Sequence, residues 1–416
     1  MKIKSILIIL SLGLSIINAH AQTNKKLQPS KISSTVNKTA NGNWRGLFQI
    51  KPGVEVPFNF EINNDKIVFL NGDERFDGGK VYQKEDSLSI KLDQFDNEIA
   101  VKLIGDSLTG TLRKQDNSGK PLVLIAKRGE NFRFKNSGEK PAANFSGTYA
   151  VTFKNPSGKD EKSVGVFKQT GDKLTGTFLR VTGDSRYLEG IVEGNNFYLS
   201  SFIGMAPAYY KGSFSQKGEI TGESINSRGS IAFTGIQNQN AELPDAYKLT
   251  YLKEGYKTLD FSFPDVNGKK ISLSDEKYRG KPVIITITGT WCPNCVDEAS
   301  FIAPWYKENK KRGVEVIAIH YERQLDSAYL KKAINGFREK FDIKYDQVIA
   351  GKPDKKLVSE SLPALNNFLS FPTTIFINKN GEVAKIHTGY SGPATGKFYT
   401  AFVEEFNKEV DSLLNE

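Results

Sequence analysis

The chain has 416 residues, of which 38% are hydrophobic and 25% are charged, so its composition is ordinary for a folded protein and its length exceeds what one hydrophobic core supports. Its formal net charge is +10, but lysine and arginine form no run interleaved with aromatic residues, which argues against nucleic acid as a partner. The chain contains only 2 cysteines, which excludes a fold held together by several disulfides. We expect two or three domains.

The first residues form the pattern of a secretory signal. Lys2 and Lys4 precede an apolar run over residues 6–17, and Ala19-His20-Ala21 has the small residues of a cleavage site. We expect cleavage after Ala21 and export to the periplasm or cell envelope; the alternative is a retained membrane anchor. No cysteine near this site suits lipid attachment. No later stretch approaches ~18 apolar residues, so the mature chain is not expected to span a membrane.

The middle of the chain is predicted to consist of β-strands. Residues 22–41, after the signal peptide of residues 1–21, are polar and without periodicity, which predicts a flexible leader. From residue 42 to residue 240, short segments of alternating apolar and polar residues, such as Ser87–Leu92, are separated by glycine, asparagine and aspartate turns. This alternation is typical of half-buried antiparallel strands.

The β region repeats itself. Residues 44–48, which place a tryptophan near a glycine, have a counterpart in residues 145–149, and residues 71–76 match residues 182–187. Each copy holds roughly eight short strands, the number at which a meander closes into a small barrel. The start of each copy faintly resembles that of lipocalin-like barrels, a resemblance that identifies no ligand. We predict two tandem antiparallel β modules, each a small barrel or sandwich.

From about residue 250, strands alternate with helical stretches, which predicts an α/β layer structure. The expected strands cover residues 281–288, 314–320, 373–378 and 382–387, and the expected helices cover residues 292–310, 325–341 and 398–414. Residues 354–369 are expected to form a short helix with loops. Asn380-Gly381 is a strong hairpin signal between the last two strands, and Pro304 is expected to bend the first helix. The three folded parts are therefore expected at residues 42–130, 144–240 and 250–416.

Both cysteines lie in one motif, Trp291-Cys292-Pro293-Asn294-Cys295, at the junction of a predicted buried strand and a helix. The first cysteine of such a motif lies at the helix N-terminus, where unpaired backbone N–H groups and the helix dipole favour a thiolate. Cys292 is therefore the predicted nucleophile toward a partner disulfide. Cys295, one helical turn on, is predicted to resolve the mixed disulfide. Pro293 lacks an N–H, but none is needed in the first turn.

Three other uses of the cysteine pair fit less well. A structural disulfide across so short a loop restricts the unfolded chain little. A zinc site needs four ligands, and beside the two cysteines the mature chain offers only His320 and His387. Haem attachment requires a histidine after the second cysteine, where Val296 stands. No metal and no cofactor are therefore expected.

Landmarks of a known family follow one another in the right order along the last two-fifths of the chain. They are a leading hairpin at residues 260–263 and 271–274, the opening of a central strand at residues 280–283, the cysteine motif, a proline loop at residues 371–374, and residues 378–381 after it. By these landmarks, residues 250–416 resemble the thioredoxin fold, specifically the TlpA/ResA-like branch of exported thiol–disulfide oxidoreductases. The expected fold class is therefore multidomain, with two β modules followed by a thioredoxin-like α/β domain.

The resemblance implies roles for residues around the cysteines. Pro372 should follow a cis peptide bond and face the cysteine pair, which would leave the backbone near Phe371 and Thr373 available to a bound polypeptide. Trp291 and Pro293, which border the cysteines, complete the expected substrate-binding residues.

The proton that leaves Cys295 needs an acceptor. Thioredoxin has a buried acid on its central strand, but Thr286 stands at that position here. The TlpA/ResA-like branch uses a glutamate after the next strand, which the resemblance places at Glu322. Glu298, one turn past Cys295, is the competing candidate.

Together these observations predict an exported enzyme that exchanges disulfides in proteins or peptides. The resemblance favours reduction, with electrons from a membrane thiol carrier. Because the chain holds no further cysteine, electron donor and acceptor must meet the same site. The alternatives are a disulfide oxidase or isomerase on the same fold, a thiol peroxidase, and a binding or adaptor protein whose β modules carry the function. The sequence leaves the oligomeric state open.

Overall fold

A computed structural model describes residues 40–154 and 158–416 of the protein. The predicted signal peptide and nearly all of the predicted leader therefore lie outside the described residues. The described residues belong to one compact unit, in which two β barrels precede an α/β layer built on a five-stranded sheet. The predicted fold class is confirmed.

The first barrel is a closed meander of eight antiparallel strands, in which the last strand returns to pair with the first. Its strands are β1 (Gly42–Lys51), β2 (Val54–Asn63), β3 (Lys66–Asn71), β4 (Glu74–Lys84), β5 (Ser87–Leu92), β6 (Asn97–Ile104), β7 (Ser107–Lys114) and β8 (Leu122–Arg128). Alternate side chains face inward, as in β3, where Ile67, Phe69 and Asn71 are buried. This period of two is the pattern that the sequence displayed.

The second barrel repeats this topology, and the extra two-residue strand β12 pairs only with β11. Its strands are β9 (Gly147–Phe153), β10 (Glu161–Thr170), β11 (Lys173–Arg180), β12 (Gly183–Asp184), β13 (Leu188–Glu193), β14 (Asn196–Ser201), β15 (Ala208–Phe214), β16 (Glu219–Ile225) and β17 (Ser230–Gln237). The ring closes where β9 pairs with β17.

Large apolar side chains fill both barrel interiors. Trp44 and Phe58 are buried in the first barrel, and Phe178 and Phe197 in the second. Gly46 lies directly under the Phe58 ring, where an added Cβ would come within 2.2 Å of a ring carbon, so this position requires glycine. An eight-stranded barrel has room either for its own side chains or for one small ligand. In both barrels of this protein, the barrel's own side chains fill the interior.

A loop of the second barrel inserts into the first. Phe202, between β14 and β15, is 2% exposed. Its ring centroid lies 4.6 Å from that of Phe48, 5.0 Å from that of Phe58 and 4.8 Å from that of Phe69. The Asn71 side chain accepts a hydrogen bond from the Phe202 N–H and donates one to the Phe202 carbonyl, both at 3.1 Å. The inserted ring therefore becomes part of the apolar core of the first barrel.

The C-terminal part is an α/β layer. Its strands are β18 (Tyr251–Leu252), β19 (Ser262–Pro264), β20 (Lys270–Ser272), β21 (Val283–Thr288), β22 (Glu315–Tyr321), β23 (Asp346–Gly351), β24 (Leu365–Asn366), β25 (Thr373–Ile377) and β26 (Val383–Thr388), and its helices are α1 (Pro293–Asn309), α2 (Ser327–Phe341), α3 (Lys355–Ser361) and α4 (Lys397–Asn415). The main sheet has the order β23-β22-β21-β25-β26, so the strand that leads to the cysteines is central. None of the helices among the described residues is long and apolar enough to cross a membrane.

Most predicted elements of this layer are present. All six residues of β21 are buried, as expected for a central strand. The side-chain oxygen of Asn378 accepts hydrogen bonds from the N–H groups of Asn380 and Glu382, at 3.0 and 2.9 Å, and so forms the turn between β25 and β26. The helix α1 continues through Pro304. The edge strand β23 was not predicted, because its few apolar residues show no clear period.

We expect the substitution Phe202→Ala to lower the free energy of unfolding by about 3–5 kcal/mol, because it leaves a cavity where the second barrel fills the first. Urea unfolding followed by tryptophan fluorescence measures this loss, since Trp44 is buried in the first barrel. Phe132→Ala is the control, because Phe132 is 42% exposed; its loss should be about 1 kcal/mol or less. Equal losses in the two variants would contradict the role of the inserted ring.

Candidate active site

The cysteine pair lies where β21 leads into α1. Cys292 is the N-cap residue of α1, and Pro293 is in its first turn. The N–H of Cys295 donates to Cys292 Sγ at 3.4 Å, so the helix points a backbone N–H at the sulfur that would carry negative charge. Both cysteines are free thiols; Cys292 is 5% exposed and Cys295 is fully buried. The greater exposure of Cys292 suits the attacking thiol, and the burial of Cys295 suits the resolving thiol.

The loop before β25 faces the cysteine pair. The peptide bond between Phe371 and Pro372 is cis, as the resemblance implied. The carbonyl oxygen of Phe371 lies 3.5 Å from Cys292 Sγ. Thr373 is fully buried, and its hydroxyl donates to the Ser370 carbonyl at 2.8 Å. The side chain of Thr373 is therefore enclosed at the start of a strand, and the expected pairing of its backbone with a substrate stays a prediction.

Partly exposed aromatic rings border Cys292. The indole N–H of Trp291 donates to the Tyr321 carbonyl at 2.8 Å. The Trp291 ring meets the Phe371 ring edge-on at 5.5 Å, and the Arg323 guanidinium lies over it, 5.0 Å from the centroid. Trp291, Pro293 and Phe371 each keep some exposed surface. The structure thus places Trp291, Pro293 and Phe371 beside Cys292, and substrate binding by these residues stays a prediction.

Cys295 faces a small closed space that also holds a carboxyl group. Glu298 lines this space, as does Thr286, the position at which thioredoxin has its buried acid. Burial, and after it the neighbouring Cys292 and Glu298, raises the pKa of Cys295 well above its ordinary value. Burial also raises the pKa of Glu298 to about 8, although its carboxyl accepts a hydrogen bond from the Thr374 hydroxyl at 2.6 Å. Both groups line the same space, and burial favours the protonated form of each.

Glu322 is also buried, but its contacts are with the backbone before the motif. Its carboxylate accepts hydrogen bonds from the N–H and the hydroxyl of Thr290, both at 2.8 Å, and lies 3.2 Å from His320 Nδ1. When the Gln347 amide donates to His320 Nε2 at 3.1 Å, Nδ1 carries the proton and donates to Glu322. Glu298 lines the space around Cys295 and Glu322 does not. The proton-transfer role of Glu322 stays a prediction, and these contacts favour the competing candidate.

Both barrels reach the cysteine motif, which the sequence did not predict. The Gln94 amide of the first barrel donates to the Thr290 carbonyl at 2.5 Å. The Arg186 guanidinium of the second barrel donates to the Pro293 carbonyl at 3.0 Å. Residues 182–187 are half of an internal repeat in the sequence, but a contact between distant parts of a chain leaves no local pattern in one sequence.

The two remaining histidines belong to hydrogen-bonded networks. Burial lowers the pKa of His387 to about 4, and its Nδ1 lies 3.1 Å from the Gly389 carbonyl oxygen, so the ring is neutral. His320 is held between Glu322 and Gln347. Within the described ranges, no three His, Cys, Asp or Glu side chains are grouped so that they could hold a metal ion.

Similarity to known proteins agrees with this geometry. Residues 255–386 match the model of the AhpC/TSA family. The chain is 32% identical over 138 residues to the thiol-disulfide oxidoreductase ResA of Bacillus subtilis (strain 168), a match that covers 33% of this chain and 69% of that protein. This chain belongs to the ResA family of thiol–disulfide oxidoreductases. The predicted enzyme class is confirmed.

Other members of the ResA family and several solved structures are also similar. ResA of Geobacillus kaustophilus (strain HTA426) is 35% identical over 130 residues, which cover 31% of this chain and 66% of that protein. A thiol:disulfide interchange protein of the thioredoxin family from Chlorobium tepidum TLS is 20% identical with a TM-score of 0.30, and the match covers 39% of this chain and 98% of that one. A thiol-disulfide oxidoreductase from Bacteroides fragilis NCTC 9343 is 22% identical with a TM-score of 0.27, over 35% of this chain and 99% of that one.

The buried Glu298 predicts a stability that depends on pH. Because burial raises its pKa from 4.5 to about 8, the stability associated with its protonated form is complete below pH 4.5 and is lost as the pH rises through about 8. In this window the free energy of unfolding of the reduced protein should fall by about 1.4 kcal/mol per pH unit more than that of Glu298→Gln. Urea titrations at a series of pH values measure the slopes.

Glu308→Gln is the matched control for this prediction, since Glu308 is an exposed carboxylate on the same helix. Its slope of stability against pH should equal that of the wild type. If Glu298→Gln also kept the wild-type slope, Glu298 would not hold a proton in the folded state.

Proposed function

We propose that this chain reduces disulfides of polypeptide substrates in the cell envelope through Cys292 and Cys295. The observation that carries the proposal is the position of Cys292 Sγ, which lies 3.4 Å from the N–H of Cys295 and 3.5 Å from the carbonyl oxygen of Phe371. The N–H favours a thiolate. Exposed surface on Trp291, Pro293 and Phe371 around this sulfur gives a substrate a place to bind.

The reaction is a two-electron exchange between dithiol and disulfide. The Cys292 thiolate attacks one sulfur of the substrate disulfide, which forms an intermolecular S–S bond and releases the other sulfur as a thiolate. In the fraction of molecules in which Glu298 is ionised, a fraction that grows as the pH approaches 8, Cys295 passes its proton to Glu298 and attacks the Cys292 sulfur. The Cys292–Cys295 disulfide closes, and the second substrate sulfur leaves. The substrate has gained two electrons, and a dithiol donor must reduce the protein before the next turnover.

The surroundings of this reaction are part of the proposal. Export rests on the signal-like pattern of Lys2, Lys4 and residues 6–17, with cleavage after Ala21. The donor is a membrane thiol carrier, as the family resemblance implies. We propose that the barrels at residues 42–130 and 144–240 serve the oxidoreductase domain, because their interiors are filled and their rims contact the motif. A separate binding or adaptor role is the rival hypothesis.

We expect Cys295→Ser to accumulate a mixed disulfide with a peptide that contains an intramolecular disulfide, because the nucleophile remains and the resolving thiol is lost. Cys292→Ser should form no such adduct. Intact-mass spectrometry under non-reducing conditions measures the adduct, with the double variant as the blank. An adduct that forms on Cys292→Ser and not on Cys295→Ser would reverse the assigned roles.

The direction of the reaction is tested by the reduction potential of the pair. Titration in graded thiol buffers, followed by the fluorescence of Trp291 next to Cys292, should give about −270 mV or lower, as for thioredoxin. Alkylation and mass spectrometry of the same samples check that the optical signal follows the cysteines. A value near −120 mV would make the protein an oxidant. No reversible couple at all would favour the adaptor hypothesis.

A further inference from the structure

An arginine of the second barrel lies buried against the cysteine motif. Arg186, between β12 and β13, has a φ of 54°, a left-handed conformation that is uncommon for residues other than glycine. Its side chain is 8% exposed, and its guanidinium lies over the Phe76 ring of the first barrel, 5.6 Å from the centroid. A constrained backbone and an enclosed charge are both unfavourable alone, so the surrounding contacts must stabilise them.

The guanidinium of Arg186 joins the two barrels to α1. Its Nη1 donates to the Pro293 carbonyl oxygen at 3.0 Å and pairs with Asp297 Oδ1 at 2.5 Å. Its Nη2 pairs with Glu74, at the start of β4. Since Pro293 directly follows Cys292, this single side chain holds the first turn of α1 from the side of the barrels.

The cluster around Arg186 holds more acidic than basic groups. Glu74 and Asp297 pair with the guanidinium, and Asp184 accepts a hydrogen bond from the Arg186 N–H at 2.6 Å. Burial raises the pKa of Asp297 to about 7 even though the guanidinium opposes this shift, and burial also raises the pKa of Asp184. Without Arg186, Glu74 and Asp297 would lose the guanidinium that faces them beside the helix end that must stabilise a thiolate.

We propose that Arg186 is a positioning residue for the cysteine pair, and that the second barrel thereby sets the redox equilibrium of Cys292 and Cys295. Arg186 fixes the Pro293 peptide and offsets the charge of Asp297, so it acts on the thiol through the helix end. The inference rests on the proposed dithiol exchange. Surroundings that stabilise the Cys292 thiolate favour the reduced form. Loss of Arg186 should therefore make the disulfide harder to reduce.

Arg186→Met tests this inference in the full chain. We expect the equilibrium of the cysteine pair with glutathione to shift three- to tenfold toward the protein disulfide, where tenfold corresponds to about 30 mV. The rate of alkylation of Cys292 against pH should show a smaller thiolate fraction. Asp297→Asn removes a negative charge and leaves the guanidinium, so it should shift the equilibrium in the opposite direction.

Arg133→Met is the matched control. Arg133 is a buried arginine that donates to the carbonyl oxygens of Leu70 and Ser200 and so joins the two barrels to each other. Its loss should lower the stability without moving the redox equilibrium. If Arg186→Met does not fold, Arg186→Lys keeps the charge without the fork of donors, and a smaller shift of the same sign is expected.

The outcomes separate this inference from the proposed function. A reversible wild-type couple with an unchanged equilibrium in Arg186→Met would overturn the role of Arg186 and leave dithiol exchange intact. Equal shifts in Arg186→Met and Arg133→Met would mean that any loosening of the barrels moves the equilibrium, and would also overturn it. A wild type without a reversible couple would overturn the proposed function and this inference with it.

Discussion

The N-terminus of α1 is the point on which the rest of the site depends. A thiolate at Cys292 is stabilised there only while the first helical turn keeps its N–H groups directed at the sulfur. The turn is held on one side by Glu322, which binds the preceding backbone, and on another by Arg186, which binds the Pro293 carbonyl. The carbonyl of Phe371 lies close to the sulfur itself. Most of these contacts fix the backbone, so the helix end offers the thiol a preorganised environment.

Three acidic side chains are buried near this helix end, and each has a different kind of hydrogen-bonding or charged partner. Glu298 accepts a hydrogen bond from a neutral hydroxyl, and burial raises its pKa to about 8. Asp297 faces a guanidinium, which opposes the effect of burial and leaves its pKa at about 7. Glu322 is held by a backbone N–H, a hydroxyl and the ring of His320. Burial therefore favours the protonated form of Glu298, whereas the contacts of Glu322 hold the backbone before the cysteine motif.

Features with local causes could be predicted from the sequence. The unbroken apolar run of β21, the alternating strands of the barrels and the Asn380-Gly381 turn each depend on neighbouring residues. The strand β23 was not predicted because its few apolar residues show no clear period. The sequence offers Glu298 and Glu322 as proton acceptors and does not decide between them, because the choice depends on burial and contacts that the fold creates. The available signal was the spacing of Glu298 three residues after Cys295, which puts both on one face of α1.

The internal repeat brings matching turns of the two barrels into contact. Residues 71–76 and residues 182–187 lie at equivalent turns of the two barrels, and in the folded chain these turns meet, since Glu74 pairs with Arg186. The matching turns share an aspartate and an arginine, Asp73 with Arg75 and Asp184 with Arg186, and differ in charge at Glu74, whose counterpart is Ser185. The first copy supplies an acid and the second a base, and α1 docks where they meet, through Asp297. With side chains filling both interiors, the rims of the barrels are the parts that contact the backbone around the cysteine motif.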